Sequence, residues 1–149
     1  MTRARQAAVP QNVAHALERL LGPGVAHVRV IEHSWFARAH GGAVATTRRG
    51  RIYLRGAAAD FFANPWLMLH EYCHVIGQWQ PGTLTAARYL LECLRRGYWN
   101  NRFEVEARAF ADANLADLHA LLSAEQRLAP VETSGDGDEQ RAEDERRAD

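Results

Sequence analysis

The residues best suited to metal binding or catalysis are two histidines four positions apart, with a glutamate directly after the first. His70, Glu71 and His74 form an HExxH string. Side chains at this spacing project from the same face of a helix, so two imidazoles can bind one tetrahedral metal ion. Zn2+ is the ion that this pattern favours, and a glutamate beside the first ligand can deprotonate a water that the metal activates. The string therefore predicts a hydrolytic zinc site with Glu71 as the general base.

The residues around the string predict a buried helix. Asn64 suits the N-cap position, Pro65 suits the first helical turn, and Gly77 is a typical helix end. Between them the segment is apolar almost all round, as in a helix inside a domain. Two histidines and a glutamate in such a helix need polar partners, and a metal ion with a bound water satisfies all of them. The alternative is a pair of ordinary core histidines that bond to backbone groups.

Two templates supply the third metal ligand from different places. In HExxHxxGxxH the third ligand would stand where this chain has Gln80, and no methionine follows for a Met-turn. The other template takes a glutamate from a later helix, which we expect to start at Asn100 or Asn101 and to carry Glu104. We therefore expect the metal ligands to be His70, His74 and Glu104.

Two alternatives to Glu104 as a ligand stay open. Glu106 is the rival carboxylate, but it points about 160° away from Glu104 on an ideal helix, so both cannot face one ion. Asn101 and Glu104 also have the spacing of a capping box, in which the carboxylate bonds to backbone and not to a metal. For Glu106 we expect exposure to solvent or pairing with Arg102.

Two supporting roles are less clearly assigned by the sequence. Metal-binding histidines usually donate their second ring N–H to an acceptor, for which Asp112 and Asn100 are candidates. Hydrolysis of a peptide also needs a donor for the developing oxyanion. The candidate donors are Tyr53, Tyr98 and His119.

The remaining patterns predict an α+β fold. A helix over 11–21 precedes three candidate strands over 25–32, 43–47 and 51–54, which together predict a small N-terminal sheet. We expect the strand over 51–54 to align an extended peptide substrate by edge pairing. Everything after Asn64 predicts helices, including one that Thr83 caps and Gly97 ends. From this layout we expect one minimal, zincin-like domain over 1–130.

Charge is distributed unevenly along the 149 residues, although the formal net charge is zero. The segment over 131–149 has eight acidic residues and three arginines, a net charge of minus five, which leaves plus five for 1–130. Val131 is its only large apolar residue, so we expect a disordered acidic tail. No nucleic-acid module, membrane span or signal region is recognisable. We therefore expect a cytoplasmic protein with a peptide or protein substrate, and neither nucleic acid nor membrane as a partner.

A zinc helix followed by a glutamate helix resembles the gluzincins. The segments over 51–55, 70–76 and 97–108 resemble the metallopeptidase-like core domain associated with extracellular contractile injection systems, and the resemblance covers about half of the chain. It implies a zinc-dependent peptidase of undefined substrate, associated with an effector or secretion system. Gln78 stands one place after the usual glutamine of that family. Arg108 stands where several gluzincins have an aspartate that supports a histidine.

A different class of function also fits the sequence. A domain of this size offers few residues to form a cleft, so the alternative to a peptidase is a zinc-binding structural or interaction module without catalysis. A metal-free helical interaction domain is the third hypothesis, and it predicts no zinc at all.

Overall fold

The computed structural model describes residues 3–39 and 43–128, and the acidic tail predicted over 131–149 lies outside them. In chain order the first elements are β1 (Arg5–Ala7), α1 (Gln11–Leu21), a 3-10 helix (Pro23–His27), β2 (Arg29–Glu32), α2 (Trp35–Ala39), β3 (Ala45–Arg48) and β4 (Arg51–Leu54). The later elements are α3 (Ala58–Phe62), α4 (Pro65–Tyr72), a π-helical segment (Cys73–Trp79), α5 (Ala86–Arg96) and α6 (Arg102–Leu128). The predicted α+β class is confirmed.

The sheet has four strands in the order β1-β2-β4-β3, and not the three expected. β1 precedes α1 and pairs antiparallel with β2, β2 pairs parallel with β4, and β3 and β4 form an antiparallel hairpin. The strand predicted over 25–32 is shorter than expected, because Pro23–His27 forms a 3-10 helix. β4 has a neighbour on both sides, so the expectation that 51–54 offers a sheet edge to a peptide is wrong.

The hydrophobic core lies between the sheet, α1, α4 and α6. The strands contribute one alternating face, with Val30, Ile52 and Leu54 buried. Leu17 of α1 and Leu69 of α4 pack into the same cluster. The HExxH helix is therefore held on several sides by apolar contacts, which fixes the direction in which its polar side chains point.

The HExxH helix begins as its sequence predicts but does not end there. The Asn64 side chain accepts a hydrogen bond from the Leu67 N–H, and Pro65 occupies the first turn. Gly77 was expected to end the helix, but the chain continues through it as the π-helical segment. The Gln80 N–H donates to the Val75 carbonyl, five residues back, at 3.0 Å. The prediction of a helix end at Gly77 is wrong.

Capping residues mark both ends of α5 and the start of α6. Thr85, and not Thr83, caps α5 by accepting from the Arg88 N–H. Gly97 ends α5 with a positive φ of 73°, as expected. Asn101 precedes α6, and its side chain accepts from the Phe103 N–H. None of the helices in the described part of the chain has the length and apolar character needed to cross a membrane.

Candidate metal centre

The three predicted ligands converge on one buried point. The Nε2 atoms of His70 and His74 lie 3.2 Å apart. His70 Nε2 is 3.3 Å from Oε2 of Glu104, and His74 Nε2 is 3.6 Å from Oε1 of the same carboxylate. All three residues are buried, where α4 and the π-helical segment meet the first turn of α6. Helix geometry thus brings together two residues from one helix and a third from a helix 30 positions later.

These three residues fit a zinc ion. Tetrahedral zinc with ligands at 2.0–2.1 Å has ligand-to-ligand separations of about 3.3 Å, and the distances here are of that order, with His70 facing Oε2 and His74 facing Oε1 of Glu104. Oε2 of Glu104 is buried and makes no hydrogen bond to any described residue. A cation at this point would neutralise the buried carboxylate and accept both nitrogen lone pairs. No other three histidine, cysteine or acidic side chains in the described ranges converge in this way.

Gln78 fixes the orientation of His74. Its amide oxygen accepts from His74 Nδ1 at 2.7 Å, so Nε2 of the neutral ring keeps its lone pair for a ligand. Its amide nitrogen donates to the Phe103 carbonyl at 3.0 Å and to Oε2 of Glu106 at 3.1 Å. Gln78 is 1% exposed. One amide therefore connects the helix that carries His74 with the helix that carries Glu104.

Neither residue predicted to support a histidine bonds to an imidazole. Oδ1 of Asp112 accepts from the indole N–H of Trp66 at 2.8 Å, and Asn100 is exposed. The Trp66 ring in turn stacks on the His70 ring, with centroids 5.2 Å apart and planes 17° from parallel. Asp112 thus acts on His70 only through Trp66. Gln78 was missed as the partner of His74, although its spacing of four residues from that histidine was a usable signal.

Glu104 faces the histidines and does not form a capping box. The Tyr89 hydroxyl donates to its Oε1 at 2.7 Å, and the Asn101 N–H, which a capping box would use, donates to the Tyr98 carbonyl. Burial alone would raise the pKa of Glu104. The two imidazoles and the Tyr89 hydroxyl outweigh burial and hold that pKa well below its usual range. The carboxylate is therefore ionised, as a metal ligand must be.

Glu106 does not belong to the cluster, although the Gln78 amide that contacts His74 also contacts Glu106. It is exposed, as expected, but its hydrogen-bond donor is Gln78 and not Arg102. The Arg102 guanidinium lies over the Phe103 ring instead, 4.6 Å from its centroid. Glu106 thus supports the residue that orients a ligand and is not itself placed as one.

Glu71 is buried beside the cluster. Burial raises its pKa, the neighbouring imidazoles of His74 and His70 lower it, and the charge of Glu104 raises it further, with a net rise. Burial also acts to lower the pKa of His74, but Glu104 and Glu71 outweigh it and the net direction is upward. A glutamate with a raised pKa is a stronger base than an exposed one. Glu71 is therefore placed beside the cluster as a stronger proton acceptor than an exposed glutamate.

One of the three candidate oxyanion donors lies at the centre. The pKa of Tyr98 is raised to about 12, first by burial and then by the negative charges of Glu104 and Glu71. Tyr53 instead accepts from Arg51 at 3.4 Å and packs against Phe36. His119 is exposed on α6. Tyr98 is thus the one of the three candidates that interacts with Glu104 and Glu71, and the residue is 51% exposed.

Comparison with protein-family models, curated proteins and solved structures gives no match for this chain. The geometry of the described residues is therefore what bears on function.

Proposed function

We propose that the protein is a zinc-dependent metallopeptidase of the gluzincin type, with His70, His74 and Glu104 as ligands and Glu71 as the general base. The observation that supports this most directly is the convergence of two buried imidazole Nε2 atoms, 3.2 Å apart, on the Glu104 carboxylate, whose two oxygens lie 3.3 and 3.6 Å from them. The resemblance to the core domain associated with contractile injection systems points the same way. An association with an effector or secretion system belongs to this proposal.

Each residue of the centre has its own role in the proposed hydrolysis of a peptide. A zinc ion held by His70, His74 and Glu104 would supply a Lewis acid for the carbonyl and would make water acidic enough to lose a proton near neutral pH. Glu71 accepts that proton and passes it to the leaving amine. Tyr98 donates a hydrogen bond to the oxygen on which negative charge develops. Gln78 and Tyr89 keep His74 and Glu104 in the orientation that binding requires.

The strand that would align a substrate is β3 and not β4. Among the described residues β3 pairs with no strand other than β4, so it lies at an edge of the sheet, where the Thr47 carbonyl accepts from Arg48 at 3.2 Å. Oγ1 of Thr47 in β3 accepts from the Trp79 indole at 3.2 Å, which sets the strand beside the π-helical segment. An extended peptide that pairs with β3 would run past His74, so we propose this edge as the substrate-binding strand.

The depth of the centre favours a second candidate, a zinc-binding structural module. His70, Glu71, His74 and Glu104 are each no more than 7% exposed, so a substrate has little direct access. Structural zinc sites, however, usually have four protein ligands, whereas catalytic sites keep one position open. The described residues supply three, and this favours catalysis.

Metal content and hydrolysis measured together separate the candidates. Elemental analysis should find one zinc per chain in the parent and in Glu106→Ala, and none in Glu104→Ala. A quenched-fluorescence peptide library should be cleaved by the parent and not by Glu71→Gln, although that variant keeps its zinc. Zinc without hydrolysis in either protein would favour the structural module. Absence of zinc after its addition would contradict both candidates.

A further inference from the structure

Helix α5 carries an apolar face that nothing in the described chain covers. No residue of this helix is buried. Leu90, Leu91 and Leu94 are 60%, 44% and 77% exposed, and we refer to these three leucines as the α5 strip. At about 100° per residue they lie within one third of the helix circumference. Three exposed leucines on one side of a helix are typical of a surface that binds a partner.

The opposite side of α5 attaches the helix to the domain. The Tyr89 hydroxyl bonds to Glu104, and the Asn101 side chain donates to the Tyr89 carbonyl at 3.3 Å and to Sγ of Cys93 at 3.2 Å. Tyr89 and Cys93 are four residues apart and share a side of the helix. Leu91 is two residues from each of them, so it points about 160° away. Leu91 therefore faces outward by this geometry, and the exposure of Leu90 and Leu94 shows that they also face solvent.

Shape and charge identify the kind of partner. Leu90 and Leu94 form a ridge with the four-residue spacing that fits the groove of another helix. Arg88 and Arg95 lie along one flank of the strip. Arg88 also donates to the Gly82 and Thr83 carbonyls at 3.3 and 3.0 Å, and the nearby Glu92 is paired with Arg96 at 3.4 Å. A helix that covers the leucines and carries acidic side chains would neutralise this flank.

Two other occupants fit less well. An antiparallel second copy of α5 would bring Arg88 of one chain beside Arg95 of the other, which is repulsive. The acidic segment over 131–149 has the right charge, but Val131 is its only large apolar residue and cannot cover three leucines. We propose that the α5 strip docks an acidic amphipathic helix of another protein.

A designed peptide tests this docking on the full chain. The probe is a fluorescein-labelled helix of about 18 residues, roughly five turns, with leucines at helical spacing on one face and glutamates elsewhere. A second probe has lysine in place of every glutamate. Fluorescence anisotropy should show that the glutamate probe binds and that the lysine probe binds at least roughly tenfold more weakly. Docking at α5 is independent of whether the metal centre hydrolyses peptides, so the result does not depend on the proposed function.

Matched variants locate the binding surface. Leu94→Glu should weaken binding of the glutamate probe by roughly tenfold or more, whereas Leu128→Glu should not, although Leu128 is equally exposed at 78% near the far end of α6. Arg95→Glu should reverse the preference between the two probes, and Arg127→Glu should not. Circular dichroism checks that each variant is folded.

Four results would overturn the proposal. Equal binding by Leu94→Glu and Leu128→Glu would show that the probe binds elsewhere on the protein. A lack of binding by the parent would show that the α5 strip is not a binding surface for such a helix. Binding to phosphatidylglycerol vesicles but to neither peptide would indicate a membrane surface. A dimer that Leu94→Glu dissociates would indicate a second copy as the occupant.

Discussion

Replacement of Gln78 by leucine should weaken zinc binding although Gln78 is not a ligand. Leucine has nearly the same volume, so no cavity forms, but both polar functions are lost. The buried His74 Nδ1–H loses its acceptor, which costs about 1–3 kcal/mol, and the bond to the Phe103 carbonyl adds about 1 kcal/mol. We expect the free energy of unfolding without metal to fall by about 2–4 kcal/mol. With His74 no longer held in one tautomer, zinc affinity should fall by roughly 10- to 100-fold.

Competition with a chromophoric zinc chelator measures the affinity, and urea unfolding with excess chelator measures the stability. Gln80→Leu is the matched control, because Gln80 is exposed and lies two residues further along the chain. Gln78→Glu keeps an acceptor for His74 but loses the donor to Phe103 and repels Glu106, so it should lose stability and retain most of its zinc affinity. If Gln78→Leu bound zinc as tightly as Gln80→Leu, the supporting role of Gln78 would be refuted.

Three further outcomes are expected. The Tyr72 hydroxyl is buried without a partner among the described residues, so Tyr72→Phe should raise the free energy of urea unfolding by about 1 kcal/mol, and any decrease would contradict this. Zinc at a hundredfold excess over its dissociation constant should stabilise the parent by about 2.7 kcal/mol and should leave Glu104→Ala unchanged; equal stabilisation in thermal unfolding would indicate another site. Gly97 has a φ of 73°, so Gly97→Ala should cost about 1 kcal/mol and lower the thermal midpoint. Gly56→Ala, at a position without positive φ, is the control.

Local chemistry was enough to predict the elements that carry the candidate site. Asn64 and Pro65 begin the HExxH helix because capping and proline geometry act within one turn. The helix angle between Glu104 and Glu106 excluded both as ligands of one ion, and it is Glu104 that lies against the histidines while Glu106 accepts from Gln78. These predictions needed only residues that are close together in the chain.

Pairings between distant residues were not predictable in the same way. Ala7 of β1 pairs with Val30 of β2 across α1, and a three-residue strand has too little pattern to reveal this. β4 was expected at an edge because its own sequence contains no information on whether β2 will pair with it in parallel. Strand order depends on the packing of the whole domain, which in the described residues places β3 and not β4 at an edge of the sheet.

The wrong prediction of a helix end at Gly77 and the missed role of Gln78 have the same physical cause. A glycine after an apolar helix is a local stop signal, but its effect is only about 1 kcal/mol. The bonds that hold Gln78 to His74, Phe103 and Glu106 together exceed that, and they favour a helix that continues to position 79. The π-helical form leaves Gln78 within reach of both α6 and the imidazole. The same amide therefore sets the tautomer of one ligand and the distance between the two ligand-bearing helices, which is why its loss should affect metal affinity and fold stability together.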